Sequence, residues 1–122
     1  MFEHEQLGLE TREHKGIPLI ACKGDIDLYT VKPFLKMTEE EIERSTGDLI
    51  VDLSEVPFLD SAGLSAIIIA YRKLDARKSK LHVIAPHNHP GVYRVLEVAR
   101  LDTIISVYDS YASLDAALGQ TG

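Results

Sequence analysis

The sequence has a single cysteine, few aromatic residues and no long hydrophobic run. One cysteine excludes a disulfide framework and a cysteine-rich metal site. The longest unbroken apolar stretch, Ala66 to Tyr71, is six residues long, whereas a membrane span needs about 20. The first residues, Met1 to Glu5, lack the basic region and the apolar core of a signal peptide. We therefore expect a soluble protein of a reducing cytoplasm, with no membrane partner.

Basic side chains are also scarce. Lysine and arginine together number 13 against 19 acidic side chains, which gives a formal net charge of -6. Because nucleic-acid phosphates and anionic lipids attract Lys and Arg, this balance argues against direct nucleic-acid binding. Of the 122 residues, 45% are apolar and 26% are charged, which is typical of one globular domain. No linker-like stretch divides the chain, so we expect a single domain over residues 1–122.

The hydrophobic pattern alternates between short apolar segments and helical stripes. Two apolar segments, Leu7–Thr11 and Ile17–Cys22, flank Lys15-Gly16, which predicts a β-hairpin. The later segments are a helix from Leu28 to about Arg44, a buried strand from Leu49, a helix at Ser61–Ala76, a strand at Leu81–Ala85, a helix at Pro90–Ala99, a strand at Ile104–Val107 and a helix at Tyr111–Leu118. Strands that alternate with helices run parallel through right-handed crossovers. The predicted fold is α/β, a small mixed sheet with an antiparallel N-terminal strand and about four flanking helices, in the order β-β-α-β-α-β-α-β-α.

The most informative segment joins the buried strand at Leu49 to the helix at Ser61, and it ends in Asp60-Ser61-Ala62-Gly63. Asp60 suits the N-cap position, because its carboxylate can accept hydrogen bonds from the backbone N–H of Ala62 or Gly63. Ser61 then begins the helix, where free N–H groups and the helix dipole would stabilise a phosphate on its hydroxyl. Gly63 permits close approach of another backbone or a ligand. Taken alone, however, these four residues are more typical of an ordinary helix cap.

Three segments together resemble the STAS-domain anti-sigma-factor antagonists of bacteria. Val51–Leu64 resembles that family's apolar strand, Asp-Leu, apolar loop and Asp-Ser-[Ser/Ala]-Gly-Leu. Gly24-Asp25-Ile26-Asp27 is similar to its Gly-[Glu/Asp]-[Leu/Ile]-Asp segment, and Leu96 to Asp102 is similar to its region near the end of the third helix. The resemblance extends over roughly residues 7–118 and implies one STAS domain with its core in that range.

This resemblance implies a regulatory switch and no enzymatic activity in the chain itself. In the family, the serine of the Asp-Ser-X-Gly motif is phosphorylated by an anti-sigma factor that is also a serine kinase, so Ser61 is the expected acceptor. The unphosphorylated form binds that partner and releases the sigma factor, phosphorylation ends the binding, and a serine phosphatase restores it. Asp27 matches the family aspartate that helps to engage the kinase. ATP and Mg²⁺ would belong to the partner, so no cofactor or metal is expected on this chain.

The expected partner-binding surface surrounds Ser61. Carboxylates close to this serine would make a phosphate there oppose docking, through charge repulsion and the cost of burying charge. Independently of the resemblance, the helix at Ser61–Ala76 places Ile69 among polar residues on the face that continues from Ser61; an exposed isoleucine without function is the alternative. The predicted partner-binding residues are Asp25, Asp27, Asp60, Ser61, Ala62, Gly63, Ser65, Ile69 and Arg72.

The sequence departs from the family pattern at two points. Ala62 stands where some members have a second serine, which leaves Ser61 as the acceptor of the motif. The Ala76–Lys80 connection lacks the glycine that is often found there. The geometry of that turn therefore stays open, whereas the site does not depend on it.

Two other interpretations remain open. A STAS module without a phosphorylation switch could act as a ligand-binding or transporter-associated subunit, with Ser61 only a helix cap. A two-component receiver domain has a similar length, but it needs a lysine after the fifth strand, where this sequence has Val107-Tyr108-Asp109-Ser110.

Three further features are interpreted as structural. His87-Asn88-His89 has no third metal ligand in its motif, so we expect a solvated loop. Cys22 lies in an apolar strand and is expected in the core. The glutamates of Glu39–Glu43 are expected on a solvated helix face.

Overall fold

The computed structural model describes residues 7–87 and 89–119, so Met1–Glu5 and Asn88 lie outside the described residues. The elements follow one another as β1 (Gly8–His14), β2 (Ile17–Lys23), α1 (Val31–Arg44), β3 (Leu49–Glu55), α2 (Ser61–Ala76), β4 (Leu81–Ile84), α3 (Pro90–Val98), a 3₁₀ turn (Leu101–Thr103), β5 (Ser106–Tyr108) and α4 (Tyr111–Gly119). None of these helices has the length and the apolar character that crossing a bilayer would need.

The strands form a five-stranded sheet in the order β1-β2-β3-β4-β5. β1 pairs antiparallel with β2, and every other neighbouring pair is parallel. Lys15 and Gly16 form the hairpin turn with φ of 53° and 81°. Positive φ at both central positions is the pattern of a type I′ hairpin turn. The predicted α/β fold, with an antiparallel N-terminal strand and four helices, is confirmed.

Apolar layers cover both faces of the sheet. The larger layer packs α1, α2 and α3 on one face and includes Phe34, Ile67 and Leu96. The smaller layer joins Leu114 of α4 to Ile50 and two neighbouring strand residues on the other face. Because β2, β3 and β4 are parallel, they end at the same edge of the sheet. We call this edge the Ser61 pole, since the loop after β3 leads there to Ser61.

The first helix departs from the sequence prediction at its start and along one face. α1 begins at Val31 instead of Leu28, because the Asp27 carboxylate accepts hydrogen bonds from two N–H groups and holds a turn before it. The predicted solvated glutamate face is wrong for Glu41, which is 8% exposed. Glu41 continues the buried stripe of Phe34, one helical repeat on, and its carboxylate accepts a hydrogen bond from the Arg44 guanidinium.

The two edge strands also have different limits from those predicted. β5 begins at Ser106 instead of Ile104, because Leu101–Thr103 forms a 3₁₀ turn that takes up the preceding residues. β1 extends beyond the predicted Thr11 to His14, because its ladder with β2 continues to the hairpin turn. Both changes depend on strand pairing and turn geometry, which the pattern of apolar residues does not reveal.

The α2–β4 connection, which lacks glycine, places Lys78 in the left-handed region with φ of 63°. Its N–H donates to the Asp75 carbonyl, and the next N–H donates to the Leu74 carbonyl. A left-handed conformation costs a non-glycine residue about 1–2 kcal/mol, and glycine loses about 0.5–1 kcal/mol in chain entropy. We expect Lys78→Gly to raise the free energy of unfolding by about 0.5–1 kcal/mol, measured by urea denaturation.

The matched control is Lys80→Gly, two residues further along the same connection. Lys80 has no positive φ, so glycine there brings only its entropy cost and should lower the stability slightly. A Lys78→Gly variant no more stable than the Lys80→Gly variant would contradict this explanation of the turn.

Candidate functional site

Asp60 caps the N-terminus of α2. It has extended backbone, with φ of -100° and ψ of -171°. Its Oδ1 accepts hydrogen bonds from the N–H of Ala62 at 2.9 Å and from that of Gly63 at 3.1 Å. Ser61 is therefore the first residue of the helix, and it is exposed. The predicted cap and the predicted helix start are both confirmed.

The same cap limits what the helix end can offer a phosphate on Ser61. The N–H groups of Ala62 and Gly63 both donate to Asp60, as the sequence predicted for at least one of them. The Asp60 side chain lies two and three residues before these donors, so it occupies them before any phosphate is added. A phosphate on Ser61 would lie next to a carboxylate that already neutralises the helix end.

The segment after β2 is bonded directly to the segment before α2. Ile26 forms a parallel bridge with Leu59. The Ile26 N–H donates to the Phe58 carbonyl at 3.0 Å, and the Asp60 N–H donates to the Ile26 carbonyl at 3.2 Å. Asp60 Oδ2 also accepts a hydrogen bond from the Leu28 N–H at 3.1 Å. The carboxylate of Asp60 thus joins the N-terminus of α2 to the 24–30 loop.

Asp27 organises this loop. Its Oδ1 accepts hydrogen bonds from the N–H groups of Tyr29 at 2.9 Å and Thr30 at 3.1 Å. The Thr30 hydroxyl in turn donates to the Asp25 carbonyl at 2.8 Å. Asp25 and Asp27 line an open depression of about 300 Å³ between this loop and the end of β3. Local turn formation is therefore one role of Asp27, whatever partner it meets.

Gly63 lies where α2 packs closely against Ile26, in the segment after β2, and Leu59, in the segment before α2. A Cβ built on it would lie 2.4 Å from Leu59 Cδ1 and 2.9 Å from both the Cγ2 and the carbonyl oxygen of Ile26. Gly63 is buried by these contacts. The close approach predicted for this glycine therefore comes from the chain itself, from the Ile26 backbone and side chain and from the Leu59 side chain.

The outer face of α2 continues from Ser61 along the helix. Ser65, Ile69 and Arg72 are exposed, with Ile69 at 38%, while Ala62 is half-buried against the core. The structure thus confirms that Ile69 is an exposed apolar residue among polar ones. Its contact with a partner stays a prediction.

A buried polar cluster on the other face of the sheet was missed by sequence reasoning. Asp52 of β3 is 6% exposed, and its carboxylate accepts hydrogen bonds from the hydroxyls of Ser54 and Tyr111, both at 2.5 Å. Burial and the bond to Asp52 raise the pKa of Tyr111 above its ordinary value. Tyr111 thereby fastens α4 to the sheet. The signal in the sequence was an aspartate inside a buried strand, which needs such partners.

The remaining residues of interest have structural partners. His82 is buried, and its Nε2 pairs with Asp48 Oδ2 at 2.9 Å. Partial burial raises the pKa of Asp48, but hydrogen bonds from the Lys80 N–H and the His82 ring outweigh it, so that pKa lies below its ordinary value. Cys22 is in the core as predicted, and burial raises the pKa of its thiol. In residues 7–87 and 89–119, no three His, Cys, Asp or Glu side chains are grouped so that they could hold a metal ion.

The fold agrees with a known family. A family model described as the STAS domain matches residues 8–114. The chain belongs to the STAS domain family. Together with the antiparallel first strand, this match excludes the receiver-domain interpretation.

Relatives of this STAS chain are anti-sigma factor antagonists. It is 32% identical over 89 residues to an anti-sigma-B factor antagonist of Listeria monocytogenes, across 72% of this chain and 75% of that protein. It is 26% identical over 105 residues to an anti-sigma F factor antagonist of Paenibacillus polymyxa, across 85% of this chain and 88% of that protein. The chain is a distant member of this antagonist family.

Solved structures agree with the assignment. An anti-sigma factor antagonist from Mycobacterium paratuberculosis superposes with a TM-score of 0.81 at 27% identity, across 94% of this chain and 93% of that one. The phosphorylated form of the Bacillus cell fate determinant SpoIIAA superposes with a TM-score of 0.68 at 16% identity, across 90% of this chain and 99% of that one. At that identity, the second likeness shows the fold alone.

Proposed function

We propose that this chain regulates transcription in the cytoplasm by partner switching. The unphosphorylated form binds an anti-sigma factor that is also a serine kinase, and the sigma factor is released. The kinase then phosphorylates Ser61, which ends the binding, and a serine phosphatase restores the first state. ATP and Mg²⁺ belong to the kinase. The chain itself catalyses nothing, and it binds neither nucleic acid nor membrane.

The observation that supports this proposal is the position of the Ser61 hydroxyl. Ser61 is exposed at the first position of α2 and is held there by the Asp60 cap. Relatives named as anti-sigma factor antagonists supply the class of partner. A structural neighbour is known in a phosphorylated form, which supports covalent control in this fold.

Each predicted site residue takes one of two roles in this proposal. Asp60 and Gly63 position the acceptor, because one caps α2 and the other lets the 24–30 loop approach it. The residues that we assign to contact with the partner are Asp25, Asp27, Ser61, Ala62, Ser65, Ile69 and Arg72.

The test is intact-mass spectrometry after incubation with each anti-sigma factor serine kinase of the source genome and Mg-ATP. We expect a gain of one phosphate on the wild-type protein and none on Ser61→Ala. Ser110→Ala is the matched control, because Ser110 also lies at the start of a helix, directly before α4. It should gain one phosphate like the wild type.

The other outcomes distinguish the alternatives. A tight complex without phosphate would mean an antagonist that lacks covalent control. Neither phosphate nor complex with any of these kinases would favour the ligand-binding or transporter-associated module. A phosphate that persists in Ser61→Ala would reject Ser61 as the acceptor.

A further inference from the structure

Two large apolar side chains are exposed beside Ser61. Leu28 is 69% exposed and Phe58 is 47% exposed. Leu28 follows the end of β2, and Phe58 follows the end of β3, so both lie at the Ser61 pole. Neither residue belongs to the surface predicted from the sequence. A leucine and a phenylalanine next to a modification site are more than isolated surface apolar groups.

Leu28 is held in place by its backbone. Its N–H donates to Asp60 Oδ2 at 3.1 Å, the same carboxylate that caps α2 at Ser61. Two residues earlier, Ile26 is buried and packed against Gly63. The backbone that carries the exposed leucine is therefore fixed relative to the N-terminus of α2, and docking would cost this loop little conformational entropy.

Phe58 is fixed from two sides. Its carbonyl accepts a hydrogen bond from the Ile26 N–H at 3.0 Å. On the other side, a Cβ built on Gly91 would lie 2.4 Å from the Pro57 carbonyl oxygen. The N-terminus of α3 thus packs directly on the 57–58 backbone. The backbone of Phe58 is therefore fixed, and its side chain is an exposed aromatic group, a residue type that dominates the energy of protein interfaces.

The charges of this surface indicate the chemistry of its partner. Carboxylates of Asp25, Asp27 and Asp60 lie in the two segments that carry Leu28 and Phe58. A partner face that fits them has a basic centre with apolar depressions beside it. A kinase that transfers phosphate to Ser61 must cover this pole, because Ser61 lies there.

We propose that Leu28 and Phe58 are the apolar anchors by which the unphosphorylated chain docks on the anti-sigma factor kinase, one in each segment beside Ser61. This proposal rests on the partner-switch function. The carboxylates set orientation and association rate, whereas burial of the two apolar side chains supplies affinity.

The test compares Leu28→Ser and Phe58→Ser with Val98→Ser and Ile104→Ser. The last two residues are also exposed, at 77% and 51%, but they lie at the end of α3 and before β5, at the opposite edge of the sheet. We expect each anchor variant to bind the purified kinase about tenfold or more weakly. The control variants should bind within about twofold of wild type. All four side chains are exposed, and thermal melts would verify that the variants fold.

Kinetics and salt separate docking from other roles. Loss of a docking contact should raise KM for Ser61 phosphorylation and leave kcat unchanged. The affinity loss of Leu28→Ser should persist between about 0.1 M and 1 M NaCl, where the Debye length falls from about 10 Å to about 3 Å. A loss that vanishes at high salt would overturn the apolar assignment.

Two results separate this proposal from the function on which it rests. Wild-type binding by both anchor variants, together with normal phosphorylation of Ser61, would overturn the anchors and leave the switch intact. A wild-type protein that neither binds nor is phosphorylated by any of the kinases would overturn both.

Discussion

Replacement of Gly63 by alanine is expected to lower the free energy of unfolding by about 2 kcal/mol. The new methyl group would lie 2.4 Å from Leu59 Cδ1 and 2.9 Å from the Ile26 carbonyl oxygen. Leu59 can turn away, but the Ile26 carbonyl is held by its hydrogen bond from the Asp60 N–H. Overpacking costs about 1–3 kcal/mol, and the contact with a fixed carbonyl puts Gly63→Ala at the upper end of that range. The better helix propensity of alanine returns about 1 kcal/mol, which leaves about 2 kcal/mol.

Urea denaturation measures this change, and Gly47→Ala is the matched control. A Cβ on Gly47 meets no atom within 4 Å, so its stability should stay within about 0.5 kcal/mol of wild type. The Gly63 variant should also be phosphorylated more slowly, because the methyl group would displace the 24–30 loop. That loop carries Asp27 and the Leu28 N–H, which donates to the Asp60 carboxylate. Equal stabilities of the two variants would contradict this prediction, because they would show that the 24–30 loop can move away from the added methyl group at no cost.

The start of α2 was predictable because its determinants are local. Asp60, Ser61 and Gly63 lie within four residues, and a cap acts on the N–H groups two and three positions ahead. The hairpin at Lys15-Gly16 was predictable for the same reason. The order of elements along the chain and the parallel direction of the later strands followed from the alternation of apolar and helical segments, without knowledge of any contact.

Features that depend on distant partners could not be predicted in the same way. The apolar pattern carries no information about the partner of Asp52, because that partner, Tyr111, lies 59 residues away in the sequence. Glu41 looks like one more solvated glutamate until the packing of α1 on the sheet is known. Leu28 was predicted as the first residue of a helix, whereas it is an exposed residue of the loop before α1.

The occupied cap changes the physical account of the switch. The sequence predicted that the N-terminus of α2 would stabilise a phosphate on Ser61. In the structure, the N–H groups of Ala62 and Gly63 already donate to the Asp60 carboxylate. The phosphorylated chain then carries two anionic groups on adjacent residues. In water their repulsion is small, but it grows when a partner covers them and displaces solvent.

Phosphorylation of Ser61 is therefore expected to weaken binding to the anti-sigma factor by about a hundredfold or more. For unit charges about 4 Å apart, repulsion rises from about 1 kcal/mol in water to about 4 kcal/mol at an effective dielectric constant of 20. The difference of about 3 kcal/mol corresponds to about a hundredfold in Kd. Isothermal titration calorimetry of protein made with phosphoserine at position 61, beside unmodified protein, measures it. Similar affinities for the two forms would contradict the switch.

An Asp60→Asn background assigns the cause of that loss. Asparagine caps a helix about as well as aspartate, so the start of α2 should be retained while the negative charge beside Ser61 is removed. Because its NH2 group cannot accept the Leu28 N–H bond that Asp60 Oδ2 accepts, the unphosphorylated Asp60→Asn protein is the reference for this comparison. If repulsion by Asp60 opposes docking, most of the roughly hundredfold loss caused by phosphoserine should disappear in the Asp60→Asn background. Asp109→Asn, at the same edge of the sheet but in the loop after β5, should leave the full effect in place. An undiminished loss in Asp60→Asn would instead assign the switch to the cost of burying the phosphate itself.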